Sequence, residues 1–137
     1  MVTTDMRIIR DLGRSAPSGN TTTTDGGGIM KLLTASIVKN LEKHPLGSQD
    51  GKGEDAEVVV KFFGGGATTW LVTEGERQDD GDWLFYGCVT LYYGTGEWEW
   101  GYFTLSELKS LHFPPFGLPI ERDMYIGKHP TVRELMR

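Results

Sequence analysis

Apolar residues along this chain change their spacing from one stretch to the next, and the spacing predicts the elements. Leu33-Thr34-Ala35-Ser36-Ile37-Val38-Lys39-Asn40-Leu41 reads as an amphipathic helix with Thr34 as its N-cap and Leu33 and Val38 at staple positions. Pro45 ends that helix near Lys43 or His44, because proline has no N–H to donate and its ring clashes with the turn before it. Gly47 to Asp55 is polar loop. Val58-Val59-Val60-Lys61-Phe62-Phe63 is dense in β-branched and aromatic residues and predicts a strand. Gly64-Gly65-Gly66 reverses the chain, and Thr69-Trp70-Leu71-Val72-Thr73 returns it. An acid-rich loop is then expected, carrying Glu74, Glu76, Asp79, Asp80 and Asp82.

Trp83 to Tyr93, the turn Gly94-Thr95-Gly96, and Glu97 to Phe103 read as a hairpin. Nine of the fifteen aromatic residues lie between Trp83 and Phe103, so this aromatic-rich hairpin carries much of the apolar area. Pairing Tyr93 with Glu97 sets Cys88, Thr90, Tyr92, Trp98, Trp100 and Tyr102 on one face. Phe85, Val89, Phe103, Glu97 and Glu99 then share the other. The favoured packing puts Trp98, Trp100 and Tyr102 in the core under the helices, with Glu97 and Glu99 in solvent. The competing reading leaves some aromatics exposed as a binding platform.

Thr104 and Glu107 have capping-box spacing and start a second helix, bounded by Pro114 and Pro115. Leu118-Pro119-Ile120 and Met124-Tyr125-Ile126 suggest a short edge strand, where proline is tolerated. Thr131 and Glu134 repeat the capping-box spacing for a final helical turn. The expected fold is therefore α+β: a small antiparallel β-meander of about four or five strands, with two or three short helices packed on one face.

Composition narrows this picture. At 137 residues the chain is one domain, with residues 1–29 read as a disordered, Ser/Thr/Gly-rich tail and residues 30–137 as the folded unit. The tail has no apolar stretch of the kind a secretory signal needs, and no run is long enough for a membrane helix, so a cytoplasmic location is expected. The formal charge of −5 disfavours direct nucleic-acid binding. Residues 50–82 hold nine acids against three bases, a face suited to a basic partner. A lone cysteine, Cys88, leaves no intrachain disulfide and no cysteine-cluster metal site. No cofactor and no metal are predicted, since the glycine-rich turns lack the remaining residues of nucleotide or calcium loops.

Candidate chemistry rests on few residues. Glu97 and Glu99 point to one side of a strand, and His112 is the histidine considered with them, but paired carboxylates need a neighbour that separates their pKa values. A Cys88–His112 nucleophilic pair has no local support. Glu121-Arg122-Asp123 reads as a fold-locking ion network; its alternative is an arginine fork holding a ligand's anionic group.

Met30-Lys31-Leu32-Leu33-Thr34, Val59-Val60-Lys61-Phe62-Phe63, Glu99-x-Gly101-Tyr102-Phe103-x-Leu105-x-Glu107-Leu108 and Gly117-Leu118-Pro119-x-Glu121-Arg122-Asp123 together resemble the domain of unknown function 2958 family over about residues 30–137. The resemblance implies a small bacterial protein associated with plasmids or mobile elements, whose genes are often found near antirestriction and DNA-maintenance genes. It supplies no catalytic residue.

The function expected from these features is a non-catalytic cytoplasmic binding module that docks to a protein partner, in plasmid maintenance or antirestriction. Its candidate binding residues are Trp98, Trp100, Tyr102, Asp79, Asp80, Asp82, Glu121, Arg122 and Asp123. The alternative is a small hydrolase or nucleotide-processing enzyme using Glu97, Glu99 and His112.

Overall fold

The computed structural model describes residues 31–136, so the tail expected over residues 1–29 and the domain start at Met30 lie outside the described residues. Helix α1 (Ala35–Glu42) begins where Thr34 Oγ1 accepts the Ile37 N–H at 3.2 Å, and Lys43 closes it two residues before Pro45. A single 3-10 turn, Gly53–Asp55, interrupts the long loop that follows. The meander then runs through β1 (Val60–Gly64), β2 (Thr68–Arg77), β3 (Trp83–Thr90) and β4 (Glu99–Thr104). Helix α2 (Leu105–Lys109) leaves β4 directly. Strands β5 (His112–Phe113) and β6 (Leu118–Pro119) form a separate two-stranded ribbon, and β7 (Glu121–Arg122) adds to the edge of β1. Helix α3 (Val132–Leu135) follows. The main sheet is antiparallel with strand order β4-β3-β2-β1-β7, an α+β fold built on a meander.

Of the two segments expected to supply an edge strand, Leu118–Pro119 is a strand but pairs in the separate ribbon, and Met124–Ile126 is not a strand; the edge of the main sheet is Glu121–Arg122. The Asp123 N–H donates to the Lys61 carbonyl at 2.9 Å, and the Asp123 carboxylate then accepts the Tyr125 N–H at 2.8 Å. That side-chain turn bends the backbone away before Met124 can pair.

Apolar side chains fill both faces of the sheet. Phe62, Trp70, Val72, Phe85 and Phe103 pack on one face with Leu41 of α1 and Leu108 of α2. Leu71 and Cys88 pack on the other with Val58, Ala56 and Val132 of α3. Two helices thus share one side and the last lies across the other. Each fully buried leucine- or phenylalanine-sized side chain contributes about 1.5–3 kcal/mol, so the first face, which holds most of them, dominates the stability.

The β2–β3 register shifts between Val72 and Glu74, leaving Thr73 as an extra residue on β2. An inserted residue reverses the in–out order of everything after it. Trp70 and Val72 therefore face α1 and α2, whereas Glu74, two residues on, lies beside Tyr86 on the opposite face. The expected acid-rich loop is corrected accordingly: Glu74 and Glu76 belong to strand β2, and Glu74 is buried.

Helix α2 starts with the expected capping box between Thr104 and Glu107. The N–H of Ser106, one residue before Glu107, is satisfied from far along the chain by Asp82, which accepts it at 3.0 Å and the Ser106 hydroxyl at 2.6 Å. Burial alone would raise the Asp82 carboxyl. The Ser106 hydroxyl, the N–H groups of Trp83 and Ser106 and the charge of Lys109 more than offset it, so this group titrates below its ordinary value. A depressed carboxylate stabilises the fold above its unfolded-state value, and that contribution is lost as pH falls through the folded one. Asp82→Ala is expected to cost about 1 kcal/mol at neutral pH, as for other lost caps. Urea titrations should show the gap between variant and parent narrowing as the buffer becomes acidic; a gap that stays constant would remove Asp82 from the capping role.

Candidate functional site

The aromatic hairpin forms, but its connection spans more residues than the three-residue turn. Cys88 faces Trp100 and Tyr86 faces Tyr102, a shift of two from the expected pairing. A shift of two preserves the in–out order, so the division between faces stands for the paired residues of β3 and β4, whereas Tyr93, expected on the face opposite Trp98, lies beside it in the connection. Their burial does not. The core beneath α1 and α2 uses Phe85 and Phe103, while Trp98 and Trp100 are half-buried against the smaller cluster around Cys88 and Val132. Tyr102 is exposed, its ring 4.9 Å from that of Tyr86. Trp98 meets Tyr93 edge-on at 6.2 Å, and the Tyr93 hydroxyl donates to the Leu135 carbonyl at 3.1 Å, tying the hairpin loop to α3. Trp98 and Trp100 therefore work as packing between hairpin and helix, rather than as core under α1 and α2.

Glu97 lies exposed in the hairpin loop, and Glu99 is exposed on β4 opposite Val89. His112 is on the β5–β6 ribbon, with its Nδ1 3.2 Å from the Ser110 carbonyl. Cys88 is fully buried, and burial, with a smaller effect of Glu54, pushes its thiol far up, so it is held as an inert thiol.

The acidic residues separate by role. Asp79 and Asp80 are exposed in the β2–β3 turn, where Asp80 accepts the Asp82 N–H at 2.9 Å. Asp82 caps α2, as above. Glu74, which had read as one more solvated acid, accepts the Gly47 N–H at 2.6 Å and the Gln49 N–H at 2.9 Å. Gln49 is buried beside it and spends its whole amide: Nε2 donates to the carbonyls of Glu57 and Thr73, both at 2.8 Å, and Oε1 accepts the Glu57 N–H at 2.7 Å. This pair fastens the loop after α1 to the sheet. It floors a shallow cleft of about 470 Å³ lined by Asp50, Tyr86 and Trp100 among others.

Glu121-Arg122-Asp123 does not form the expected ion network. Asp123 pairs instead with Lys61 at 3.4 Å, and the Lys61 ammonium also lies over the Tyr93 ring at 5.2 Å. Arg122 pairs in register with Phe62, on the helix side of the sheet, so it points toward α1. There it lines a half-open cleft of about 820 Å³ with Lys39 and Lys43 of α1, the apolar residues Ile37, Val59 and Ile126, and His129. His129 has φ of +50°, uncommon for a residue other than glycine, and its Nδ1 lies 2.9 Å from the Glu57 carboxylate. Glu57 also faces His44 Nε2 at 3.9 Å.

Sequence reasoning missed four residues around this segment. Phe116, Leu118, Met124 and Tyr125 are large and apolar yet exposed, with Phe116 at 81% and Tyr125 at 86%. Among the described residues, four of the seven exposed large hydrophobics thus fall within ten residues, on both sides of β7. The available signal was apolar residues set among Gly, Pro and charged residues, a pattern that fits neither a strand nor a helix face.

The family model described as a protein of unknown function (DUF2958) matches residues 32–135. No curated protein and no solved structure matches the chain.

Proposed function

Because this chain belongs to the DUF2958 family, whose description assigns no activity, we propose its function from its own surface: a non-catalytic cytoplasmic module that docks to a protein partner through the segment from Phe116 to Tyr125. The bacterial plasmid or mobile-element setting, with a role in maintenance or antirestriction, belongs to the same proposal.

The observation that carries the reading is the concentration of exposed apolar side chains around β7. Solvated aromatic and aliphatic residues scattered singly need no explanation, but several in one short segment mark a contact surface. The segment is also held in shape. Asp123 fixes the Tyr125 backbone by a hydrogen bond and is itself held by Lys61, so Tyr125 is presented without a large ordering cost on binding. Asp79 and Asp80 supply a second, acidic surface on the far turn. No helix among the described residues is long and apolar enough to cross a membrane.

The test is to recover tagged full-length protein from its host and compare it with Met124→Ala/Tyr125→Ala. Both residues are exposed, so folding stability should change by less than about 0.5 kcal/mol. A stoichiometric protein companion that falls at least roughly tenfold in the double variant is the expected result. Companions unchanged by this variant but lost on charge reversal of Asp79 and Asp80 would move the docking surface to the acidic turn.

A further inference from the structure

The cleft between α1 and β7 carries a charge opposite to that of the whole protein. The chain is acidic overall, with a formal charge of −5. Yet Lys39, Lys43 and Arg122 all line this one concavity, with Asp123 the sole carboxylate lining it among the described residues. That carboxylate is already engaged, by the Lys61 ammonium and the Tyr125 N–H. Among the described residues none of the three cations has an ion-pair partner, and Arg122 Nε is buried without a hydrogen-bond partner. His129, on the rim, directs its Nδ1 at Glu57.

Unpaired cations on a solvated face are ordinary. Three in one concavity, with no ion-pair partner among the described residues, leave electrostatic capacity for an anionic group. The guanidinium fork suits a carboxylate in two-point contact, while the lysines add charge with less demand on geometry. The cleft lining also includes the apolar side chains of Ile37, Val59 and Ile126. Carboxylates set among aliphatic side chains complement both features. A polyphosphate backbone complements only the first.

We propose that the cleft formed by Lys39, Lys43 and Arg122 is the seat of an acidic, aliphatic-rich peptide segment of the partner protein. The inference rests on the docking-module reading and specifies it: Met124 lines the cleft, exposed Tyr125 follows it in the chain, and the cleft selects the charge of what enters.

The test uses full-length protein and fluorescence anisotropy with short labelled peptides in which glutamate alternates with leucine. Matched peptides carry glutamine or lysine in place of glutamate, and a labelled single-stranded oligonucleotide serves as the polyphosphate probe. The glutamate peptides should bind, weaken as salt is raised, and outcompete the glutamine set by roughly tenfold or more. Lys39→Glu/Lys43→Glu, at two exposed positions, should abolish this preference with the melting temperature retained. Lys39→Arg/Lys43→Arg should keep it, and Arg122→Gln should weaken it. Equal binding of glutamate and glutamine peptides, preference for the lysine peptides or the oligonucleotide, or no binding of any glutamate peptide would each overturn the proposal. Binding indifferent to the lysine variants but lost in Met124→Ala/Tyr125→Ala would overturn it while leaving the docking reading in place. Binding indifferent to both variants would bring down the two together.

Discussion

Replacing Glu74 with alanine is expected to lower the urea midpoint while leaving the slope unchanged, a loss of about 3 kcal/mol in unfolding free energy. The carboxylate accepts two backbone N–H groups, those of Gly47 and Gln49, and the side chain is 2% exposed. Hydrogen bonds to an ionised acceptor contribute about 1.5–3 kcal/mol each, and removing the acceptor strands two donors in a place water reaches poorly. Part of the loss is recovered if the loop opens to solvent, which is why the lower end of the summed range is expected. Glu74→Gln keeps the shape but offers one acceptor and turns an amide NH₂ toward the other donor, so about half the loss should remain. The Gln49 amide depends on the same arrangement, bridging Glu57 to Thr73. Gln49→Ala should therefore be strongly non-additive with Glu74→Ala in a double-mutant cycle. A loss below about 1 kcal/mol for Glu74→Ala, the size expected of a solvated acid, would show that the loop after α1 is not anchored through this residue.

Glu74 also shows what local pattern can and cannot reveal. Thr34, Thr104 and Thr131 were legible as helix starts because a cap is encoded within four residues, and all three accept the expected N–H. The alternation along β3 and β4 was legible too, and survived a register error of two because the side-chain period is two. Which face lies under α1 and α2 was not legible, since Phe85 and Phe103 on one side and Trp98 and Trp100 on the other are equally apolar as letters. A bulge at Thr73 has no signature in Val72-Thr73-Glu74, so a glutamate beside other acids read as solvated. Arg122 failed for a related reason: its neighbours in sequence are acids, but the sheet sends its side chain toward α1 and gives Asp123 to Lys61. The apolar rim at Met124 and Tyr125 was taken for strand because exposure, unlike hydrophobicity, is a property of the assembled chain.

The bulge itself makes a demand on the neighbouring strand, and Gly87→Ala should prevent folding. Gly87 pairs with Val72 immediately before the extra residue, and with Gly101 on its other side. A Cβ built on Gly87 runs into the carbonyl oxygen of Leu71 and comes within 3.0 Å of Val72 Cα. Both obstacles are backbone of the central strand β2, which can retreat only by breaking its pairing with β1 or β3. The expected cost is at least about 4 kcal/mol, comparable with the whole margin of a marginal domain of this size. Gly75→Ala provides the contrast from the same sheet. There the added methyl meets side-chain atoms rather than backbone, Leu41 Cδ2 and Phe85 Cδ1 at 3.0 Å, so an overpacking cost of about 1–3 kcal/mol is expected. Soluble yield, circular dichroism and amide chemical-shift dispersion would rank the two variants. If Gly87→Ala folded as well as Gly75→Ala, β2 would not approach β3 so closely at this point. The bulge that carries Glu74 to the face of Gly47 and Gln49 would then need a different geometry.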